Sequence, residues 1–346
     1  MAKKSGFFTQ RLAAAIAALF AISSGPMGSV HGADVFAGKQ IRVIIPAGPA
    51  GSYSLYGQLA VQHLGRFIPG NPAVAISYMP GAAGINAMNY LYEAAPRDGT
   101  TIAVADQDVA SKQALATNGV RYDATKFNYI GRATANVPVH VVWHSAIVNS
   151  IDDLKQREIV TGADGTSGTT VDLPRAQNKL IGTKWKIIAG YRGNIETRIA
   201  MERGEVQAAV APATLFNDQL KPWRDEGKVK ILVQYADFRH PAFPDVPTVV
   251  EFAESPNAKA VFKFLVSLST VGRAYAAAPG VPPATLDILR KAFRSMVNDP
   301  AFKADAEKRG ADLLPMSGAE LAAYISDIVR TPPDVIKKTI EVIGVQ

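Results

Sequence analysis

The chain has 346 residues, with 37 lysines and arginines against 30 acidic residues and no cysteine. A net charge of +7 is mild for this length, and no Lys/Arg stripe interleaves with aromatics, which argues against a nucleic-acid partner. The absence of cysteine removes thiolate metal sites and disulfide scaffolds, and the histidines beyond residue 33 (His63, His140, His144, His240) show no ligand spacing, so no metal is expected.

The chain opens with Lys3, Lys4 and Arg11, followed by the apolar run Leu12–Ile22, Gly25-Pro26 and the small-residue exit Val30–Ala33. A basic start, a short apolar core and small residues before a cut predict a secretory signal peptide over residues 1–33, hence export. The run is too short to span a bilayer. About 313 residues remain after cleavage, enough for a large core and for two domains. Loss of the three cations lowers the net charge to +4, a slight bias toward acidic small molecules.

Ile41–Ile45 is an apolar run, Pro46–Ser54 a Gly/Pro/Ser turn, and Leu55–Leu64 has apolar residues at Leu55, Leu59 and Leu64. That order predicts strand, loop and helix. Such a loop leaves backbone N–H groups aimed off the positive end of a helix, an offer to a carboxylate or phosphate. Gly48, Ala50, Gly51, Ser52, Tyr53 and Ser54 are therefore candidate binding residues. Glycine also serves merely to turn the chain, and the spacing matches neither the dinucleotide nor the P-loop fingerprint, so no cofactor is expected.

Further apolar runs at Ala73–Tyr78, Thr101–Ala105, Val139–Trp143, Glu158–Gly162, Trp185–Ala189, Val206–Val210 and Lys230–Tyr235 alternate with helix-like segments. This rhythm predicts α/β architecture with mainly parallel sheets. Ligands in such sheets sit at the carboxyl ends of strands, which adds Gly81 and Gly84, then Asp106 and Gln107, to one rim. A boundary is expected near Val139–His144. Beyond it, Glu158–Gly162 feeds a second Gly/Ser/Thr turn, with Gly165, Thr166, Ser167, Gly168 and Thr169 as candidates. Tyr191, Arg192, Ala213 and Thr214 follow two more strands, Arg192 as a possible cation for a carboxylate. Leu265–Val271 reads as a second crossing, and the remainder as helical. Asp152-Asp153 complements a helix N-terminus, and no G-x-S-x-G elbow or other nucleophile–base pattern nominates an enzyme.

Ile45-Pro46 with its turn to Ser54, Met79–Gly84, Ala95–Thr100, Gly162–Thr170, Gly190–Gly193, Gly204–Gln207, Pro244–Thr248 and Ala278–Pro282, in this order and spacing, resemble the exported Bug-type substrate-binding proteins of tripartite tricarboxylate transporters. The resemblance covers nearly the whole exported chain. It implies a periplasmic, two-lobed clamshell with two crossing strands as hinge, here residues 34–141 with 267–346 and residues 142–266. It also implies a small organic acid as ligand, gripped by Pro46–Ser54 and Gly162–Thr170, a membrane-embedded permease as partner, and a monomer. Ser54 stands where many members have aspartate, Gln58 where arginine is common, and Tyr53 where many have a small residue. The lost carboxylate at position 54 predicts a rim more tolerant of anions. A sensory protein presenting the same ligand, and an exported enzyme, are the alternatives to transport.

Overall fold

The computed structural model describes residues 35–166, 168–217 and 219–344; the signal peptide expected at residues 1–33 lies outside them. The first half runs β1 (Gln40–Ile45), α1 (Ser52–His63), β2 (Ala73–Tyr78), α2 (Ile85–Glu93), β3 (Thr101–Val104), α3 (Val109–Ala114) and β4 (Asn128–Thr134). Then come β5 (Pro138–Trp143), α4 (Ile151–Gln156), β6 (Ile159–Asp164), α5 (Thr169–Ile181), β7 (Trp185–Tyr191), α6 (Asn194–Glu202), β8 (Ala208–Pro212), α7 (Ala213–Asn217), α8 (Lys221–Asp225) and β9 (Val229–Gln234). The long helix α9 (Pro256–Val271) leads to β10 (Arg273–Ala277), α10 (Pro283–Asn298), α11 (Pro300–Lys308), β11 (Met316–Ser317), α12 (Gly318–Val329) and α13 (Pro333–Ile343).

The strands form two sheets, one of six in the order β11-β4-β10-β3-β1-β2 and one of five in the order β7-β6-β8-β5-β9. Strands β1, β2 and β3 pair in parallel, as do β7, β6 and β8, while β10 and β5 run against their neighbours. Apolar runs without strict alternation arise because each sheet is covered on both faces. In β1, Ile41, Val43 and Ile45 enter one core while Ile44 enters the other. The two sheets are the two lobes of an α/β clamshell.

The chain changes sheet at Ala135–Val137 and again at Gly272. A division after Val141, as expected from the sequence, would cut β5, and one after Val266 would cut α9. The segment Leu265–Val271 is the end of α9 and not an extended crossing. Its apolar and β-branched residues suit a strand, but a helix buried on all sides needs the same composition. Phe262 and Val266 enter the core of the five-stranded lobe while Phe264 and Val271 enter that of the six-stranded lobe, so α9 is a spine shared by both. The C-terminal helix α13 likewise places Val342 and Ile343 in the core of the five-stranded lobe.

The hinge itself is bonded across. The Asn136 amide donates to the Ser269 carbonyl at 2.8 Å. Arg132 donates from Nη1 to the Thr270 carbonyl at 2.6 Å and from Nε and Nη2 to the Leu314 carbonyl. Gly272 has φ +52°, and a Cβ there would stand 2.2 Å from the Thr134 carbonyl oxygen, so the two crossings approach too closely for any side chain.

His140 lies fully buried in β5, its Nδ1 2.8 Å from Tyr235 Oη, its Nε2 2.9 Å from Thr161 Oγ1, and its ring stacked 3.8 Å from Trp185. Burial pulls its pKa from 6.5 down to about 3. The depressed folded value means that its contribution is whole above pH 6.5 and is lost as pH falls toward 3, by about 1.4 kcal/mol per pH unit. We expect the melting temperature to fall over that window and His140→Gln to flatten the dependence while lowering stability at neutral pH. Thermal unfolding of both proteins from pH 7 to pH 4 checks this, and parallel pH slopes would exclude His140 as the responsible group.

Candidate functional site in the cleft between the lobes

Strand β1 ends at Ile45 and the turn leads to Gly51, the residue preceding α1, at φ 86° and ψ 179° with no side-chain cap. A Cβ there would meet nothing within 4 Å, so glycine is required by the backbone angle and the space beside it is open. The first helical bond runs from the Leu55 amide to the Gly51 carbonyl (3.1 Å), which leaves the amides of Ser52, Tyr53 and Ser54 without an intrahelical acceptor. Gly48 is half-buried, whereas Ala50, Gly51 and Ser52 are exposed on this rim.

Beneath them lies a polar floor. Arg273, the first residue of β10, donates from Nε and Nη2 to Ser52 Oγ at 2.9 and 2.6 Å and from Nη1 to Gln107 Oε1 at 2.6 Å. Its guanidinium carbon stands 4.3 Å from the Tyr53 ring centroid, and Asn136 Nδ2 donates to the same Gln107 oxygen at 3.1 Å. Tyr53 donates its hydroxyl to Asp106 Oδ1 at 3.3 Å and accepts from the Gln107 amide at 3.0 Å. Burial, with Asp106 adding to it, pushes the Tyr53 hydroxyl pKa up and keeps the phenol neutral. Asp106 is ion-paired with Lys112, which also donates to the Ala83 carbonyl. Burial and the neighbouring Asp106 raise Asp108 to about 6.

Two predicted residues on this rim have other roles. Ser54 is buried, its Oγ 3.0 Å from Tyr78 Oη and accepting from Gln58 Nε2 at 3.1 Å, so its hydroxyl points into the lobe and only its amide can serve the cleft. Gly84 is the small surface against which Asp106 sits, since a Cβ there would lie 3.0 Å from the Asp106 carboxyl carbon. Gly81, at φ 128°, is exposed, and the turn it opens closes over Lys112 through Ala83.

The second lobe repeats the device with a difference. Gly168 precedes α5 at φ 96° and ψ −173°, again beside open space. Its amide donates to Asp172 Oδ2 at 3.1 Å, so part of this helix end is filled by its own carboxylate, whose pKa burial raises. Thr170 is tied to Asp164, Gly165 bonds the Tyr191 carbonyl, Thr166 is exposed, and Ser167 lies outside the described residues. Gly168, Thr169, Asp172 and Leu173 meet Asp108, Ser111, Lys112 and Leu115 of the other lobe around a cavity of about 230 Å³ backed by Phe264, Leu265 and Leu268 of α9. The start of α5 thus meets α3 across the interlobe cavity, and the α1 turn, which does not line that cavity, is tied to α3's base through Tyr53, Asp106 and Lys112.

Arg192 does not line that cavity. It is exposed beside Ile195 and Ile199 in a separate concavity, with its amide bonded to Glu196, and Tyr191 is half-buried at the end of β7. Ala213 is buried and bonds the Val137 carbonyl, while Thr214 lines a further hollow against Lys303, Glu307 and residues 310–313. Lys112 is the cation that lines the cavity, and Arg273 is the cation bonded beneath the α1 turn, a residue passed over when Leu265–Val271 is read as a strand. The available signal was Gly272, a glycine closing a long helix immediately before it. Asn136, Lys112 and Asp108 were missed because nothing in their spacing separates them from surface residues.

The family model described as tripartite tricarboxylate transporter family receptor matches residues 67–340. A UPF0065 protein of Bordetella pertussis is 27% identical over 339 residues, covering 96% of this chain and 97% of its own. Among solved structures, a TctC solute binding protein from Polaromonas, without ligand, superposes with a TM-score of 0.68 at 18% identity, covering 87% of this chain and 99% of its own. Rpa4515 of R. palustris with adipate gives 0.58 at 18% identity over 89% and 98%, and MatC of Rhodopseudomonas palustris with bound malate gives 0.56 at 18% over 87% and 100%. With the clamshell fold and a model match over most of its length, this chain belongs to the tripartite tricarboxylate transporter receptor family.

Proposed function

We propose that the chain is a periplasmic, non-catalytic receptor that captures a small organic carboxylate between its lobes and delivers it to the membrane-embedded subunits of a tripartite tricarboxylate-type transporter. The observation that carries this reading is the α1 N-terminus, three open amides behind a glycine, standing directly over a buried guanidinium. Amides, helix dipole and cation all favour an anion at the same place. Two proteins of the same fold were solved with malate and adipate, both carboxylates, which supports the ligand class.

Closure would be a hinge motion about Ala135–Val137 and Gly272, favoured only as far as the ligand makes better contacts in the closed arrangement. Gly168, Thr169 and the α5 amides would then approach the ligand from the second lobe. Backbone donors read charge and shape and leave the rest of the molecule free to vary, which suits a receptor family with diverse cargo.

A thermal-shift screen of the exported chain, unfolded and refolded to strip carried-over ligand, tests the ligand class against succinate, malate, adipate, citrate, benzoate, neutral sugars and amino acids. Binding to the folded state raises the melting temperature by mass action, by about 2.7 kcal/mol of stability at a hundredfold excess over Kd. A rise with acids is expected; a rise with neutral compounds only would refute the reading.

Gly51→Val and Gly168→Val place a β-branched side chain at a positive φ and over the amides, and each is expected to weaken acid binding at least tenfold while lowering stability by about 1–2 kcal/mol. Calorimetric titration of both variants checks it, and wild-type affinity in both would remove these loops from the site.

A further inference from the structure

Arg273 is 7% exposed, and all its bonded partners are neutral: Ser52 Oγ, Gln107 Oε1 and the Gly272 carbonyl, with the Tyr53 ring alongside. Among the described residues no carboxylate forms an ion pair with it, and the nearby Asp106 is already engaged by Lys112 and Tyr53. A buried charge with only neutral partners is costly, and here the positive end of α1 bears on the same spot and raises that cost. A neutral hydrogen-bonding group placed over Ser52 would relieve none of it. A carboxylate there would offset part of it.

We infer that Arg273 is the charge-selecting residue of this receptor: its guanidinium, held beneath Ser52, is the buried counter-charge that admits a carboxylate and rejects the uncharged isostere. The inference rests on the cleft being the ligand site. Because the guanidinium already spends its fork on Ser52 and Gln107, it acts through space and through the Ser52 hydroxyl, which accepts from Arg273 and keeps its own proton to donate upward. A carboxylate bonded to that hydroxyl would lie about 5–6 Å from the guanidinium, where at an effective dielectric constant of about 20 the attraction is worth roughly a hundredfold in affinity.

The test compares each acid of the screening panel that the wild-type protein binds with its uncharged amide, by calorimetry, in wild type, Arg273→Gln and Gln107→Glu. Arg273→Gln is expected to weaken the acid roughly a hundredfold and the amide less than threefold, so that discrimination collapses. Gln107→Glu is nearly isosteric and supplies an internal carboxylate at the atom that receives Nη1. It is expected to raise the melting temperature of the ligand-free protein and to lose acid affinity at least tenfold, which keeps the inference open to refutation if Arg273→Gln does not fold. Equal weakening of acid and amide in Arg273→Gln would make Arg273 a strut for Ser52 and overturn the charge-selecting role, as would wild-type acid affinity in either variant. Failure of the wild-type protein to bind any acid of the panel is a different result, which refutes the carboxylate-receptor reading together with this inference.

Discussion

The direction of β10 constrains everything at the cleft. The chain returns to the six-stranded lobe from the hinge end, so β10 must enter its sheet antiparallel to β3 and β4, with Ala276 opposite Ala103 and Arg273 opposite Thr134. The parallel strands deliver their carboxyl ends to the rim, and β10 delivers its beginning. Its first side chain therefore lands among the loops that follow β1 and β3, where Ser52 and Gln107 fasten it and Asn136 in turn bonds Gln107. The same strand is buried along its whole length, so its register cannot slip without taking apolar side chains out of two cores. Gly272 sets the entry point, since the crossing chain leaves no room for a Cβ.

The two lobes treat their helix ends differently, and the difference bears on how a receptor of this kind would work. In the six-stranded lobe the amides of α1 are open and backed by a cation. In the five-stranded lobe Asp172 already bonds the Gly168 amide, and Asp108 faces it across the cavity. The helix end free of its own carboxylate is therefore that of α1, while Asp172 occupies part of the α5 end. The crossings between the lobes are tied by bonds from Asn136 to Ser269 and from Arg132 to Thr270.

Much of this was legible in the sequence wherever a local pattern had only one physical solution. The runs at Ala73–Tyr78 and Trp185–Ala189 became strands, Asp152 and Asp153 stand in the first turn of α4, and both glycine-rich turns lead into helices as expected. Legibility failed where tertiary burial decided. Leu265–Val271 is apolar and β-branched enough for a strand, yet it completes a helix wedged between two cores, where Ser267 and Ser269 bond backbone carbonyls. That misreading hid β10 and with it Arg273. Ser54 looked like a ligand donor because it ends the glycine-rich turn with a hydroxyl, but it lies within α1, and Tyr78 and Gln58 hold it inside. Arg192, which the sequence offered as a cation for a carboxylate, is exposed, while Arg273, the cation bonded beneath the α1 turn, lies outside both glycine-rich turns.

A crystal structure of the protein with the acid that stabilises it most would test the central claim most directly. The account predicts carboxylate oxygens within hydrogen-bond reach of the Ser52–Ser54 amides and the Ser52 hydroxyl, above Arg273, with Gly168 and Thr169 closed over the other side. An acid bound away from the interlobe cleft, or one whose carboxylate points away from α1 and Arg273, would contradict it.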